Sequence, residues 1–225
     1  MKFRLKLKLT EAVKQDKLNQ FLYELNPADH IDLMRDIDNV LDPTLRAVDA
    51  SSLHDRYEVY TDVLKMTLTQ FITLDYAMRG EIDEAQIASI IMRPKGEEEF
   101  DNTNQEVEEQ NIERILDEDA GCVLYIIKSM MHNRDWVLFT KFEGVLYSKI
   151  EVEEGEEEDN EPADDEFTSR WFWYSIVRSL ANEDLQKFQF VYDMRMSDVL
   201  VELAYRVQLQ KRIEAEQRAQ EARMR

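Results

Sequence analysis

Hydrophobic and polar positions along the chain divide it into stretches of different period. Lys2, Arg4, Lys6 and Lys8 alternate with Phe3, Leu5, Leu7 and Leu9. A strict period of two predicts a half-buried strand with bases on one face and apolar groups on the other. Such a strand needs a mate, either Tyr57 to Leu64 or the sheet edge of another subunit. Its apolar face, Phe3, Leu5 and Leu7, is therefore one candidate partner-binding surface, and its basic face a candidate dock for acidic parts of the same chain. Leu18, Phe21, Leu22 and Leu25 then fall at helical spacing, with Pro27 just past them, which predicts a short helix between Lys14 and Leu25.

The middle of the chain carries start and stop signals. Thr67 followed by Gln70 has the form of a capping box, with Leu68, Phe71, Ile72 and Met78 behind it and Gly80 as the closing residue. Asp83 and Gln86 repeat the signal before Ile87, Ile90 and Ile91, and Arg93-Pro94 ends it. Together they predict a helical hairpin turning between Arg79 and Ile82. Further helices are expected near Val107 to Leu116, from Cys122 to Met131, and from Trp136 to Tyr147, the last with Trp136, Phe139, Val145 and Leu146 as core contacts.

In the last third, Trp171-Phe172-Trp173-Tyr174 precede Ile176, Val177 and Leu180. Neighbours on a helix differ by about 100°, so four consecutive aromatics cannot share one face. Some are buried, and Trp171, Phe172 and Tyr174 are candidates for a docking surface, since exposed aromatics make interface hot spots. Asp184 to Tyr192 reads as a short helix, and Ser197 with Asp198 starts a longer one through Val199, Leu200, Leu203, Ala204 and Val207. Beyond Gln208 the pattern becomes polar.

Composition sharpens this picture. The chain has 225 residues, 44% of them hydrophobic, enough to build a core. Only 5 glycines and 4 prolines are present, too few for many short strands joined by tight turns. The expected fold is mainly α, a helical domain with a small N-terminal β element and two acidic loop inserts. Residues 1–65 form an N-terminal region with a strand and short helices, and 66–225 a helical domain interrupted at 97–119 and 151–166.

The net charge of −20 sits in those inserts. Residues 97–119 carry −10 and 151–166 carry −11, leaving the rest at about +1. Like-charge runs of this kind solvate a loop or lure a basic partner. Mimicry of a phosphate backbone requires rigidly spaced carboxylates, which Glu153-Glu154-Gly155-Glu156 does not suggest.

Chemistry-bearing motifs are missing. Cys122 is the single cysteine, so no internal disulfide forms, and His30, His54 and His132 share no metal-ligand spacing. The five glycines never approach one another closely enough for a phosphate loop. Counted from Asp36, a calcium loop fails at its sixth and twelfth positions, Leu41 and Ala47. No catalytic, cofactor-binding or metal residue is nominated, and the expectation is a non-enzymatic protein. Bases do not cluster with aromatics as nucleic-acid binding asks. The sequence reads as having neither signal peptide nor membrane span.

At two places the chain resembles phage tail and baseplate assembly proteins, the small acidic tail assembly chaperones, including those of T-even-like phages. The first is Met66-Thr67-Leu68-Thr69-Gln70-Phe71-Ile72-Thr73-Leu74-Asp75 with Ile90-Ile91-Met92-Arg93-Pro94 downstream; the second is Trp171 to Leu180, Glu183 to Lys187, Val191 and Ser197 to Tyr205. Asn182-Glu183 stands where a glycine-rich turn is more usual in that group. The resemblance implies a factor without a cofactor that binds a tail structural protein, of tape measure or baseplate hub type, in the cytoplasm of the infected host. The runner-up is a subunit retained in the virion at neck, portal or baseplate, and a third reading is an acidic DNA-mimic inhibitor. A homo-oligomer is compatible with each.

Overall fold

The computed structural model describes residues 2–15, 17–26, 51–79, 84–97, 100, 104–146 and 166–224. Among them the chain is mainly α-helical with one small antiparallel sheet of two strands. The helices are α1 (Phe3–Lys14), α2 (Leu18–Glu24), α3 (Ser51–Arg56), α4 (Leu68–Arg79), α5 (Glu84–Ile91), α6 (Gln105–Leu116), α7 (Ala120–Trp136), α8 (Glu166–Leu180), α9 (Phe188–Tyr192) and α10 (Met196–Met224). Strands β1 (Tyr57–Val59) and β2 (Met92–Pro94) pair with Tyr57 opposite Pro94 and Val59 opposite Met92. The chain divides into two compact units, residues 1–61 with 73–133 and residues 62–72 with 134–225. This partition is discontinuous in sequence.

The first correction concerns the start of the chain. Residues 3–14 form a helix, not a strand. The alternation that suggested a strand also contains helical repeats, because two periods of two make one step of four. Leu5, Leu9 and Ala12 lie four and three residues apart and are buried together with Phe3. Extending the reading to Thr10-Glu11-Ala12-Val13 removes the alternation and decides for helix. Phe3 and Leu5 thus belong to the core, 0% and 8% exposed, and Leu7 is half-buried. These three residues do not form an exposed apolar docking face.

The basic side of α1 does meet acidic residues of the same chain. Lys2 pairs with Asp117 at 3.4 Å, Arg4 with Glu113 at 2.6 Å, and Lys6 with Glu84. The first two pairs are largely exposed and contribute at most about 1 kcal/mol each. The apolar side of α1 is buried, and the carboxylate of Glu118 lies buried beside the start of the helix. That carboxylate accepts two hydrogen bonds from Arg56, both 2.6 Å, and one from the Tyr57 hydroxyl at 3.0 Å. Its backbone carbonyl accepts the Phe3 N–H at 2.8 Å.

Within acidic residues 97–119, Gln105–Leu116 form α6. Asn104 caps α6, its side chain accepting the Val107 N–H at 3.3 Å, and Asn111 and Ile115 are buried where α6 packs on α5. Asn111 donates to the carbonyls of Ser89 and Met92, both at 3.0 Å, while the fully buried Arg93 bonds Glu108. Arg93-Pro94, read from sequence only as a helix stop, therefore also forms the buried strand β2. Gly96, at φ +91°, turns the chain out of that strand. Residues 80–82 of the turn expected between Arg79 and Ile82, and acidic residues 151–165, lie outside the described residues.

After α7 a short π-helical turn, Val137–Lys141, buries Val137 and Leu138. Trp136 and Phe139, expected as core contacts, are instead 49% and 47% exposed, and Val145 and Leu146 are only half-buried. The helix expected to run from Trp136 to Tyr147 ends at Lys141, so Val145 and Leu146 lie in the turns beyond it, and the wide turn before that end departs from the face that a fixed 3.6-residue period projects.

Burial and the neighbouring Glu118 charge raise the Tyr57 pKa to about 12. A raised pKa means that the contribution of the neutral phenol to stability is complete below pH 10 and is lost as the pH climbs through 12. Tyr57→Phe is expected to cost about 1–2 kcal/mol in urea melts at neutral pH and to reduce the loss of stability between pH 10 and 12. An alkaline profile identical to that of the unaltered protein would count against this role.

Candidate interaction surface

The second unit contains a concentration of exposed apolar side chains on α8, α9 and α10, and the sequence accounts for how they come to be exposed. On α8, Trp173 and Val177 lie four residues apart and face inward, 2% and 0% exposed. Trp173 meets the edge of Phe71 with ring centroids 5.6 Å apart. Trp171 and Tyr174, three residues apart, share the outward side at 40% and 39% exposure, their rings edge to face at 5.4 Å. Tyr174 also meets Phe188 of α9 at 5.8 Å. Phe172 is half-buried against Trp173. One of the aromatic run is thus core, and two present their rings to solvent.

α8 ends in a turn with an uncommon backbone. The Asn182 N–H donates to the Ser179 carbonyl at 3.1 Å and the Glu183 N–H to the Arg178 carbonyl at 2.9 Å, the paired bonds of a Schellman closure. Asn182 (φ +53°) and Glu183 (φ +64°) are both left-handed. Asparagine tolerates this conformation, whereas for glutamate it costs about 1 kcal/mol or more. Arg206 of α10 braces the closure: its Nη1 donates to the Ser179 carbonyl at 2.8 Å and to Ser179 Oγ at 3.0 Å, and its Nε pairs with Glu202 at 2.7 Å. A side chain from α10 therefore helps satisfy the carbonyls that the end of α8 leaves without a regular helical partner.

Two open grooves flank this brace. One, of about 950 Å³, is lined by Trp171, Tyr174, Arg178, Glu183 and Arg206. The other, of about 600 Å³, lies between Leu180, Phe190, Met194 and Val201. Around them Leu185 and Phe190 are 69% exposed. Monomeric proteins rarely expose so many large apolar groups close together unless the patch has a partner.

The sequence-derived candidates separate cleanly. Trp171 and Tyr174 lie on this surface and Phe172 at its edge, whereas Phe3, Leu5 and Leu7 belong to the other unit. Sequence reasoning missed Leu185, Phe190 and Tyr205. Leu185 lies in a 3-10 turn and Phe190 in a five-residue helix, too short for an apolar period to reveal which side faces out. Tyr205 alone carried a signal, its spacing of four from Val201 on α10. Among the described residues no group of three or more His, Cys, Asp and Glu side chains is placed to hold a metal ion, and no helix is long and apolar enough to cross a membrane. No protein-family model matches the sequence, and no curated protein and no solved structure matches it.

Relieving the left-handed strain is expected to stabilise the second unit. Glu183→Gly should raise stability by roughly 0.5–1 kcal/mol in a reversible melt, while Asn182→Val, which places a β-branched residue at positive φ, should lower it by about 1–2 kcal/mol. Equal stability of all three proteins would show that this turn carries no strain.

Proposed function

We propose that the chain is a non-enzymatic phage assembly factor that binds a tail or baseplate structural protein, of tape measure or hub type, in the cytoplasm of the infected host. The observation that carries this reading is the exposed apolar surface of α8, α9 and α10, above all Trp171, Tyr174 and Phe190. The likeness of Trp171–Leu180 and Ser197–Tyr205 to tail assembly chaperones supports the same conclusion, since those segments supply much of the surface. A factor of this kind works by covering apolar area on its partner before assembly, through higher affinity for the unassembled form. Aromatic anchors suit such binding, because they bury much area and lose little side-chain entropy when they are immobilised.

Single substitutions on one helix separate docking from packing. Trp171→Ala and Tyr174→Ala are expected to shift stability by less than about 1 kcal/mol, because both side chains are well exposed. Each should weaken capture of the tail protein from infected cells by about 2 kcal/mol, roughly thirtyfold. Trp173→Ala, by contrast, should lose about 3–5 kcal/mol of stability, with binding falling only as the folded fraction falls. If Trp171→Ala and Tyr174→Ala both destabilise without a separate binding defect, the surface is structural. Mass spectrometry of purified particles then distinguishes a departing factor from a retained subunit.

A further inference from the structure

We propose that α10 carries a self-association ridge, and that the partner it fits is a second copy of this chain. Val201, Tyr205, Leu209 and Ile213 recur every four residues and are 60%, 60%, 42% and 40% exposed. Met196, Val199 and Leu200 of the same helix are fully buried, so α10 has one apolar side in its own core and a second turned outward. A row at steps of four forms a ridge along a helix. Two such rows interdigitate when helices cross at about −50°, the commonest packing of globular helices.

The ridge is self-complementary. Antiparallel copies related by a two-fold axis through Val207 set Val201 against Ile213 and Tyr205 against Leu209, twice by symmetry. The same axis brings Glu202 opposite Arg212, also twice. Both charges already have partners on their own helix, Glu202 with Arg206 at 2.7 Å and Arg212 with Glu216 at 3.0 Å. Those contacts hold the two side chains extended along the helix surface and leave them partly exposed for a second, intermolecular pair. The axis places one like-charged pair, Asp198 with Glu216. It lies nine residues from the crossing, about 13 Å along each helix at a rise of 1.5 Å per residue. The crossing angle has by then parted the helices by more than a Debye length of about 8 Å, so that repulsion is largely screened.

A helix crossing buries less than the roughly 800 Å² per partner of a standard interface, so the dimer is expected to be concentration-dependent. This proposal does not rest on the assembly reading, and an unrelated partner on the same ridge is an outcome of its test. Sedimentation velocity of the full chain over a concentration series should show a monomer–dimer equilibrium. Leu209→Glu should leave a monomer throughout, with unchanged helical circular dichroism. Arg212→Glu should raise the dimer Kd about five- to tenfold, and adding Glu202→Arg to it should restore the Kd to within about threefold of the starting value. A monomer at every concentration up to about 1 mM, or a dimer indifferent to Leu209→Glu, overturns the proposal. Failure of the charge swap to rescue, with both variants folded, overturns the two-fold register.

Discussion

The buried carboxylate of Glu118 is the interaction on which the first unit depends. It sits at the corner between α6 and α7, accepts from Arg56 and Tyr57 at the junction of α3 and β1, and lends its backbone carbonyl to the start of α1. Removing a carboxylate from water costs several kcal/mol unless charge and hydrogen bonds replace its hydration. Here a bidentate guanidinium and a phenol do so, which fixes three separate parts of the chain at one point. Next to it Asp119 caps α7, accepting the Cys122 N–H at 3.1 Å. Two consecutive acidic residues, ordinary in a sequence rich in them, thus do different and local jobs.

The sequence reveals some of this and hides the rest. Helices with caps and a sustained 3.6-residue period, such as α4, α5 and the buried half of α10, were legible, because Thr67, Gln86 and Ser197 lie beside apolar positions at helical spacing. The N-terminal helix was not. Over Lys2 to Leu9 the periods of two and four coincide, and the discriminating signal lies outside that window, in Thr10 to Val13 and in the burial of Phe3, Leu5, Leu9 and Ala12 together. The division of the aromatic run was legible from the 100° step, which sets Trp173 on the side of Val177 and apart from Trp171 and Tyr174; its contact with Phe71, distant in sequence, was not. Phe190 lies on an element too short to show any period.

A chain so poor in glycine and proline must end its helices by other means, and the structure uses long-range polar groups. In the first unit the corner after α5 is held by Asn111 bonding two carbonyls and by Arg93 reaching Ser89 and Glu108. In the second, Arg206 and the left-handed Asn182-Glu183 turn close α8. Such locks are specific because each leaves a buried group unsatisfied if its partner is displaced, at a cost of about 1–3 kcal/mol. They stabilise by excluding alternatives more than by adding burial. The left-handed glutamate carries a local strain that a glycine would avoid, and it lies beside the exposed Trp171 and Tyr174, where strained backbone commonly accompanies function.

The charge distribution bears on function in the same way. Carboxylates of the first acidic stretch are engaged within the fold: Glu97 with Arg114, Glu108 with Arg93, Glu113 with Arg4 and Asp117 with Lys2. The carboxylates paired in this way contribute only dipoles at distances beyond the Debye length, so they add less to the field met by an outside partner than their formal charge suggests. This favours a structural role for that stretch over mimicry of a phosphate backbone. On the proposed reading, specific recognition falls to the apolar side chains of α8, α9 and α10. Binding there would bury aromatic and aliphatic area and respond weakly to salt, whereas binding governed by the acidic stretches would weaken steeply as salt rises.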